Sequence, residues 1–180
     1  MNENQNVTKN KVGRPFVRFG SLKTPIGPIF VAISKSGLFD VAFGITDQVR
    51  YVARLGTRVA RATPDRRAVS GALDQLDNYF SGNLTRFSIP VDLRVSTDFT
   101  YRVLLAASQI PFGQTISYGE TARLVGSPGA SRAVGGALGR NPLPIVIPCH
   151  RVIATDGSIG GFTGGLAIKK ALLRLEGHQV

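Results

Sequence analysis

The chain has 180 residues, of which 43% are hydrophobic, and 22 Lys and Arg against 11 Asp and Glu give a formal net charge of +11. This composition suits one large domain or two small ones with a packed core and excludes a fibrous or wholly disordered protein. Since there is neither an apolar run of membrane length nor a secretory signal, we expect no membrane partner, while the positive charge is typical of proteins that bind polyanions.

The beginning of the chain predicts a polar leader followed by paired strands. Residues 1–14 are polar and basic and show no apolar period, so we expect a disordered leader. Three β-rich runs follow, at Phe16–Phe19, Ile29–Ile33 and Leu38–Phe43. Because Pro and Gly separate these runs, they predict a hairpin or a meander.

The rest of the first half is less regular. Residues 50–67 are rich in arginine and only weakly patterned, and we assign no element there. Apolar residues recur at helical spacing between Val69 and Phe80, which predicts a helix. A further short strand is expected at residues 87–91, and residues 93–97 are interpreted as a linker between two lobes.

The second half of the chain is richer in helix signals. Thr97 or Asp98 can cap a helix that carries apolar residues as far as Ile110 and stops at the Pro-Phe-Gly that follows. The last predicted helix has apolar residues on one face between Ile168 and Leu175, and a glycine ends it. Both ends of this half are therefore expected to be helical.

Two short helices joined by a glycine turn are predicted between them. Ser117 and Glu120 have the spacing of a capping box that opens the first helix, and residues 130–138 form the second. This order of elements is typical of a helix-turn-helix. The predicted fold class is therefore mixed α/β (α+β), with an α/β lobe of sheet and helix at residues 15–92 and a mainly helical lobe at residues 93–180.

The second short helix is unusual for a helix that reads bases. Its side chains are nearly all small, namely those of Ala130, Ser131, Ala133, Gly135 and Gly136. Such a helix cannot project polar groups to base edges, but its backbone can approach another surface closely. Tight packing between helices explains the small residues equally well, although it gives no reason for the long cation Arg132.

Cys149 is the only cysteine of the chain and stands next to His150 in the proline turn Ile147–Val152. The thiolate is the nucleophilic form of cysteine, so a reactive cysteine needs a base or a positive field nearby. A lone cysteine is also often a small buried hydrophobe, and the turn alone leaves both interpretations open. Without a second thiol no intramolecular disulfide forms, which favours a reducing compartment: the cytoplasm with the nucleoid, or the nucleus of a eukaryote.

Short motifs follow one another along the second half of the chain. They are Ile110–Gly113, Ser117–Gly119, Ser131–Ala137, Asn141–Pro142, Ile147–Ile153, Gly164–Ala167 and Leu175–Gly177. In this order and spacing they resemble the O6-alkylguanine-DNA alkyltransferases, which repair DNA by direct reversal. The similarity extends from Phe16 to Gly177. It implies a ribonuclease H-like first lobe, a winged helix-turn-helix-like second lobe, a single-turnover reaction and no cofactor.

The resemblance assigns catalytic roles residue by residue. Cys149 is the acceptor that attacks the alkyl carbon on guanine O6, His150 is the base that acts through a bound water, and Glu176 orients the histidine. Tyr118 hydrogen-bonds the flipped guanine and donates a proton, while Asn141 joins the DNA-binding helix to the active-site turn. From the residues alone, Tyr118 also suits a half-buried aromatic and Asn141 an ordinary Asn-Pro turn. A carboxylate at the C-terminal end of a helix is unfavourable, which favours a functional Glu176 over a solvated one.

The resemblance also implies how DNA is bound. The small-residue helix enters the minor groove, and Arg132 takes the place of the extruded base in the stack. Leu138 and Phe162 flank that base in the pocket. Thr163 lies near O6, and Val152 contributes backbone. The implied partner of a monomeric protein is double-stranded DNA that contains O6-alkylguanine, with O4-alkylthymine as a further candidate substrate.

The sequence departs from the family pattern in the pocket and in a metal site. Leu138, Phe162 and Thr163 stand where many members have Met, Tyr and Ser, which concerns alkyl-size preference more than activity. Some relatives hold a structural zinc in the first lobe with Cys and His ligands. Neither residue type occurs before Cys149, so we expect no metal.

Two other functions are compatible with parts of this pattern. An alkyltransferase-like lesion sensor would flip and hold damaged guanine without chemistry, but such proteins replace the acceptor cysteine. A Cys-His hydrolase of small esters or amides would turn over repeatedly, and it leaves Arg132 and the small-residue helix unexplained.

Overall fold

The structure is a computed structural model that describes residues 7–9, for the backbone only, 13–94 and 97–180. The chain divides into two compact units, Met1–Arg94 and Val95–Val180. The first is built on a sheet and the second is mainly helical, which confirms the predicted mixed α/β class. Among the residues described, no helix is long and apolar enough to cross a membrane.

A mixed six-stranded sheet forms the centre of the first unit. Its strands are β1 (Val7–Lys9), β2 (Phe16–Thr24), β3 (Gly27–Ser34), β4 (Gly37–Phe43), β5 (Arg61–Pro64) and β6 (Val91–Leu93). They lie in the order β1-β6-β4-β3-β2-β5. Strands β2, β3 and β4 pair antiparallel, and β5 and β6 pair parallel with β2 and β4. The predicted meander is therefore confirmed, and parallel strands extend it on both sides.

Two helices pack on this sheet. Helix α1 (Gln48–Leu55) contributes the fully buried Tyr51 to the core on one face of the sheet. Helix α2 (Ser70–Phe80) confirms the predicted helix. It packs closely on β2, because a Cβ on Gly20 would lie 2.7 Å from Cγ2 of Val69. A glycine in the strand thus admits the start of the helix.

The predicted disordered leader is wrong for Val7–Lys9, which form β1 and pair in parallel with Val91–Leu93. A strand can form through backbone hydrogen bonds without an apolar period, so this segment carried no signal in its composition. Residues 1–6 and 10–12 lie outside the described part of the chain.

Two other segments of this unit differ from expectation. Within residues 50–67 the structure has most of α1 and all of β5. These were missed because exposed arginines outnumber the few buried residues. The strand expected at residues 87–91 begins only at Val91, since Pro90 has no N–H to donate to a sheet. Strand β6 continues into the predicted linker at residues 93–97 and crosses the expected lobe boundary.

The second unit contains the predicted helices. They are α3 (Asp98–Ser108), α4 (Tyr118–Leu124), α5 (Ser131–Leu138) and α6 (Leu166–Leu175). Thr97 caps α3, and the capping box of Ser117 and Glu120 opens α4 as predicted. A two-stranded parallel sheet pairs β7 (Ile116–Ser117) with β8 (Val152–Ile153). Since α4 follows β7 directly and β8 follows a 3-10 turn at Cys149–Arg151, this pairing brings Tyr118 towards the cysteine turn.

Candidate active site

Cys149 begins the 3-10 turn, with only 7% of its surface exposed. Asn141 holds the turn in place: its Nδ2 donates to the Ile147 carbonyl at 2.8 Å and to the Cys149 sulfur at 3.2 Å. The Oδ1 of Asn141 accepts from the N–H of Leu143 at 3.0 Å. One side chain therefore fixes both the loop after α5 and the position of the sulfur.

The loop between Asn141 and Cys149 has an unusual backbone. Ile145 has φ 76°, the only positive φ of a non-glycine residue in the described ranges. A β-branched side chain rarely adopts this conformation, which costs of the order of 1–3 kcal/mol. Ile145 is 1% exposed, so packing in the core holds the residue in place. The cysteine turn thus follows a segment whose shape tertiary contacts impose.

The groups around the Cys149 thiol have opposing effects on its pKa. Burial raises the pKa of Cys149, whereas the Asn141 hydrogen bond, the charge of Lys169 and nearby backbone N–H groups lower that pKa. Burial is the largest influence, so the resting sulfur is a protonated thiol. The donors and the cation are arranged to favour the thiolate once a base removes the proton.

Lys169 is a site residue that the sequence analysis missed. It is fully buried on α6, where Nζ donates to the Val152 carbonyl at 2.7 Å and lies 5.8 Å from the ring centre of Tyr118. Burial lowers the pKa of Lys169 to about 8, against the opposing influence of the Cys149 charge. The buried face of α6 lies one residue further along the chain than predicted. Ile168 and Leu175 are only partly buried, whereas Lys169 is buried.

His150 and Glu176 form a buried pair. The Nε2 of His150 lies 2.8 Å from Oε1 of Glu176, and both side chains are inaccessible to solvent. Since the carboxylate can only accept, Nε2 carries the proton and Nδ1 keeps its lone pair. Nδ1 is buried and has no hydrogen-bond partner among the described residues. Burial, aided by Arg151 and Lys169, lowers the pKa of His150 against the influence of Glu176, so the imidazole is neutral.

Arg151 is a second residue whose role the sequence analysis missed. Its Nε and Nη2 donate to Oε2 and Oε1 of Glu176 at 2.8 and 2.9 Å, and its Nη1 donates to the Ile110 carbonyl at 2.5 Å. The N–H of Gly113 also faces Oε2, at 3.3 Å. Burial raises the pKa of Glu176, but the bonds from His150 and Arg151 outweigh it and hold the pKa at about 2. Glu176 is therefore an anion enclosed by donors.

Tyr118 lies half-buried at the start of α4. Its hydroxyl donates to the Gly161 carbonyl at 3.2 Å, in the segment that also carries Phe162 and Thr163. Burial and then the charge of Cys149 raise the pKa of Tyr118, so the phenol is protonated at neutral pH. The protonated phenol is thus close enough to Cys149 for the charge of the sulfur to act on it.

Helix α5 has a buried and an exposed side. Arg132, Ala133 and Gly136 are exposed, and Ala130, Ser131 and Gly135 are partly so. Arg132 forms no hydrogen bond or ion pair with the described part of the chain. The opposite side, which includes Leu138, is buried. The exposed side is therefore an open surface of small residues, and the buried side consists of Val134, Ala137 and Leu138.

The predicted pocket residues differ in exposure. Leu138 and Val152 are buried, Phe162 is partly buried and Thr163 is exposed. The hydroxyl of Thr163 donates to the Gly139 carbonyl at 3.0 Å, which links the glycine-rich segment before α6 to the end of α5. Within the described ranges no group of three or more His, Cys, Asp or Glu residues could hold a metal.

Comparisons with known proteins identify the family to which the chain is similar. Residues 98–178 match the family "6-O-methylguanine DNA methyltransferase, DNA binding domain", and residues 17–93 match the ribonuclease-like domain of the same name. A methylated-DNA–protein-cysteine methyltransferase of Mycobacterium bovis is 45% identical over 160 residues, which cover 89% of this chain and 92% of the relative. One of Methanosarcina acetivorans is 38% identical, covering 88% and 97%. The crystal structure of Mycobacterium tuberculosis OGT in complex with DNA has a TM-score of 0.77 and 44% identity, covering 89% of this chain and 92% of that one.

Proposed function

The chain belongs to the 6-O-methylguanine DNA methyltransferase family, and from that premise we propose that it repairs DNA by direct reversal, moving the alkyl group of O6-alkylguanine onto Cys149. One observation supports the assignment of this function to particular residues. The only cysteine is buried beside the Asn141 amide, in a turn whose next residue is the histidine paired with Glu176. A nucleophile, a base and a group that orients the base thus lie in one unit.

In the reaction, the thiol must first lose its proton. His150 accepts it at Nδ1 through a bridging water, and Glu176 stabilises the imidazolium that forms. Lys169 and the Asn141 amide favour the resulting thiolate. The sulfur then attacks the alkyl carbon, an S–C bond forms as the C–O6 bond breaks, and guanine leaves with the electron pair. Tyr118 donates a proton to the leaving base. The product is a thioether that no second cysteine can resolve, so each molecule reacts once.

Double-stranded DNA is the proposed partner. The exposed small residues of α5 allow the backbone to approach a minor groove, where the degenerate pattern of base edges gives little sequence readout. Arg132, which is exposed on this side, occupies the gap left by the extruded nucleotide. Extrusion costs a few kcal/mol and less for a damaged pair, which helps to select the lesion. We place the protein, as a monomer, in the cytoplasm with the nucleoid, or in the nucleus of a eukaryote.

The walls of the base pocket are assigned to the segment before α6 and the end of α5. Leu138 and Phe162 flank the guanine, Thr163 lies near O6, and Val152 contributes backbone. Support comes from the hydrogen bond between Thr163 and Gly139, which ties these two segments together. We include O4-alkylthymine as a second candidate substrate for the same pocket.

Intact-mass analysis tests the function directly. After incubation with duplex DNA that contains O6-methylguanine, we expect one added methyl mass on the intact protein, located by peptide mapping to the peptide with Cys149, and none on Cys149→Ser. Benzylated guanine, used in parallel, tests the pocket. Tight lesion binding with an unmodified thiol would instead identify a lesion sensor, and repeated turnover of small esters a Cys-His hydrolase.

A further inference from the structure

We propose that Arg151 is a positioning residue of the alkyl-transfer reaction, which fixes the Glu176 carboxylate so that its Oε1 faces His150. The inference rests on the proposed function. It adds a residue that contacts neither the Cys149 sulfur nor the guanine base. Arg151 and His150 are consecutive in the 3-10 turn, and both reach the same carboxylate.

Both oxygens of the Glu176 carboxylate accept hydrogen bonds from the 3-10 turn. Glu176 Oε1 accepts from His150 Nε2 at 2.8 Å and from Arg151 Nη2 at 2.9 Å, while Oε2 accepts from Arg151 Nε at 2.8 Å. A planar guanidinium that binds both oxygens fixes the plane of the carboxylate, which a single donor does not. Arg151 therefore decides which lone pair remains for the histidine.

Arg151 is itself held on its far side. Its Nη1 donates to the Ile110 carbonyl at 2.5 Å, and its guanidinium lies 5.8 Å from the ring centre of Phe112. Only 5% of its surface is exposed. These contacts come from the segment after α3, so the position of the carboxylate at the end of α6 depends on a chain segment distant in sequence.

The charge of Arg151 also acts on His150. The charged groups that influence His150 are Glu176 at the end of α6, Lys169 on α6 and Arg151 in its own turn. Both cations disfavour the imidazolium and the carboxylate favours it. With Arg151 present, His150 rests neutral and keeps Nδ1 as an acceptor, while Glu176 remains close enough to stabilise the charge that arrives during transfer.

Two substitutions separate charge from geometry. Arg151→Met removes both, and we expect the His150 titration midpoint to rise by about one pH unit, with the acid limb of the alkyl-transfer rate moving up equally. Arg151→Lys keeps the charge but cannot bind both carboxylate oxygens as the guanidinium does. The acid limb of the rate profile should therefore stay within a few tenths of a pH unit of the wild type, while the plateau rate falls about ten-fold. Arg102→Met is the matched control, since Arg102 donates to the Val125 carbonyl in the same unit, away from the pair.

The midpoint is measured by proton NMR of the imidazole and needs no substrate. The chain has only two histidines, so His178→Gln assigns the signals. The rate is measured with duplex DNA that contains O6-methylguanine. A shifted midpoint without any transfer to Cys149 would show that Arg151 acts on the pair of His150 and Glu176 but would overturn the proposed function, and with it a role of Arg151 in alkyl transfer.

The proposal is overturned if the midpoint in Arg151→Met equals that of the wild type, or if Arg151→Lys transfers at the wild-type rate. Should Arg151→Met fail to fold, a double-mutant cycle of Arg151→Lys and Glu176→Gln tests the proposal instead. In a Glu176→Gln background no carboxylate remains to be positioned, so adding Arg151→Lys should change the rate by less than about two-fold. A further ten-fold loss in that background would show that Arg151 acts on the fold alone.

Discussion

A Cβ atom on Gly160 would lie 2.9 Å from Cε2 of Tyr118, closer than real Cβ contacts come. The bare backbone of this segment therefore packs directly on the tyrosine ring, one residue before the carbonyl that accepts its hydroxyl hydrogen bond. The position of the proposed proton donor depends on the absence of a side chain at Gly160.

Substituting this glycine should displace Tyr118. Gly160→Ala must move the ring, and its φ of 62° adds backbone strain. Gly157→Ala is the matched control, because Gly157 has φ 83° but nothing within 4 Å of its Cβ position. We expect both variants to lose about 1 kcal/mol of unfolding free energy. Only Gly160→Ala should also slow alkyl transfer, by ten-fold or more, in single-turnover assays. Equal rates in the two variants would contradict this relationship.

Lys169 should control the acidity of the thiol. Lys169→Met removes the buried cation that lowers the pKa of Cys149, so that pKa should rise by about one unit and transfer at neutral pH should slow about ten-fold. The measurement is the pH dependence of Cys149 alkylation by iodoacetamide, which needs no DNA. Lys170→Met removes the exposed neighbouring charge and should leave the profile unchanged. Identical profiles for the two variants would exclude an electrostatic role for Lys169.

Arg132 should matter for duplex DNA and not for chemistry. Arg132→Ala loses the side chain proposed to fill the stack, so repair of an O6-methylguanine duplex should slow by ten-fold or more. Its reaction with free O6-benzylguanine should stay within two-fold of the wild type, because no base has to be extruded. Arg123→Ala, which removes an exposed cation from α4, should weaken duplex repair only slightly and in a salt-dependent way. A parallel loss on the free base would place Arg132 in the pocket instead.

The enclosed Glu176 should make the protein sensitive to acid. Its pKa of about 2 in the folded state lies below the ordinary 4.5, so its contribution is complete above pH 4.5 and is lost as the pH falls towards 2. Between pH 5 and pH 3 the wild type should lose about 2 kcal/mol of unfolding free energy through this group. Urea titrations of the wild type and Glu176→Gln at both pH values measure the difference. Glu176→Gln should lack this part of the pH dependence. If its unfolding free energy changed with pH as much as that of the wild type, the predicted contribution of Glu176 would be refuted.

Local signals predicted the second unit well. Thr97, Ser117 and Glu120 are capping residues whose effect is complete within one helical turn, and each caps its helix as expected. The same kind of signal failed for Val7–Lys9, whose only reason to be a strand is a partner far along the chain. Helix α1 was missed because only Tyr51 and Leu55 of its eight residues are buried, while Arg50 and Arg54 are exposed.

The site was predictable as far as its motifs reach. Cys149, His150, Asn141 and Glu176 were named from the family resemblance, and their catalytic roles stay predictions. Lys169 and Arg151 were missed, since a charged residue carries no sign in the sequence that it will be buried. Lys169 stands beside Lys170, and only the rotation of α6 decides which of the two faces the sulfur.

The depth of Cys149 has a further consequence for the lifetime of the unreacted protein. A molecule that reacts once must preserve its sulfur until a lesion is found. With 7% of the residue exposed and burial raising its pKa, the sulfur rests as a thiol that peroxide and other small oxidants reach slowly. The same burial that demands a base for the reaction thus protects the stored reagent, and opening the site to gain speed would shorten its useful life.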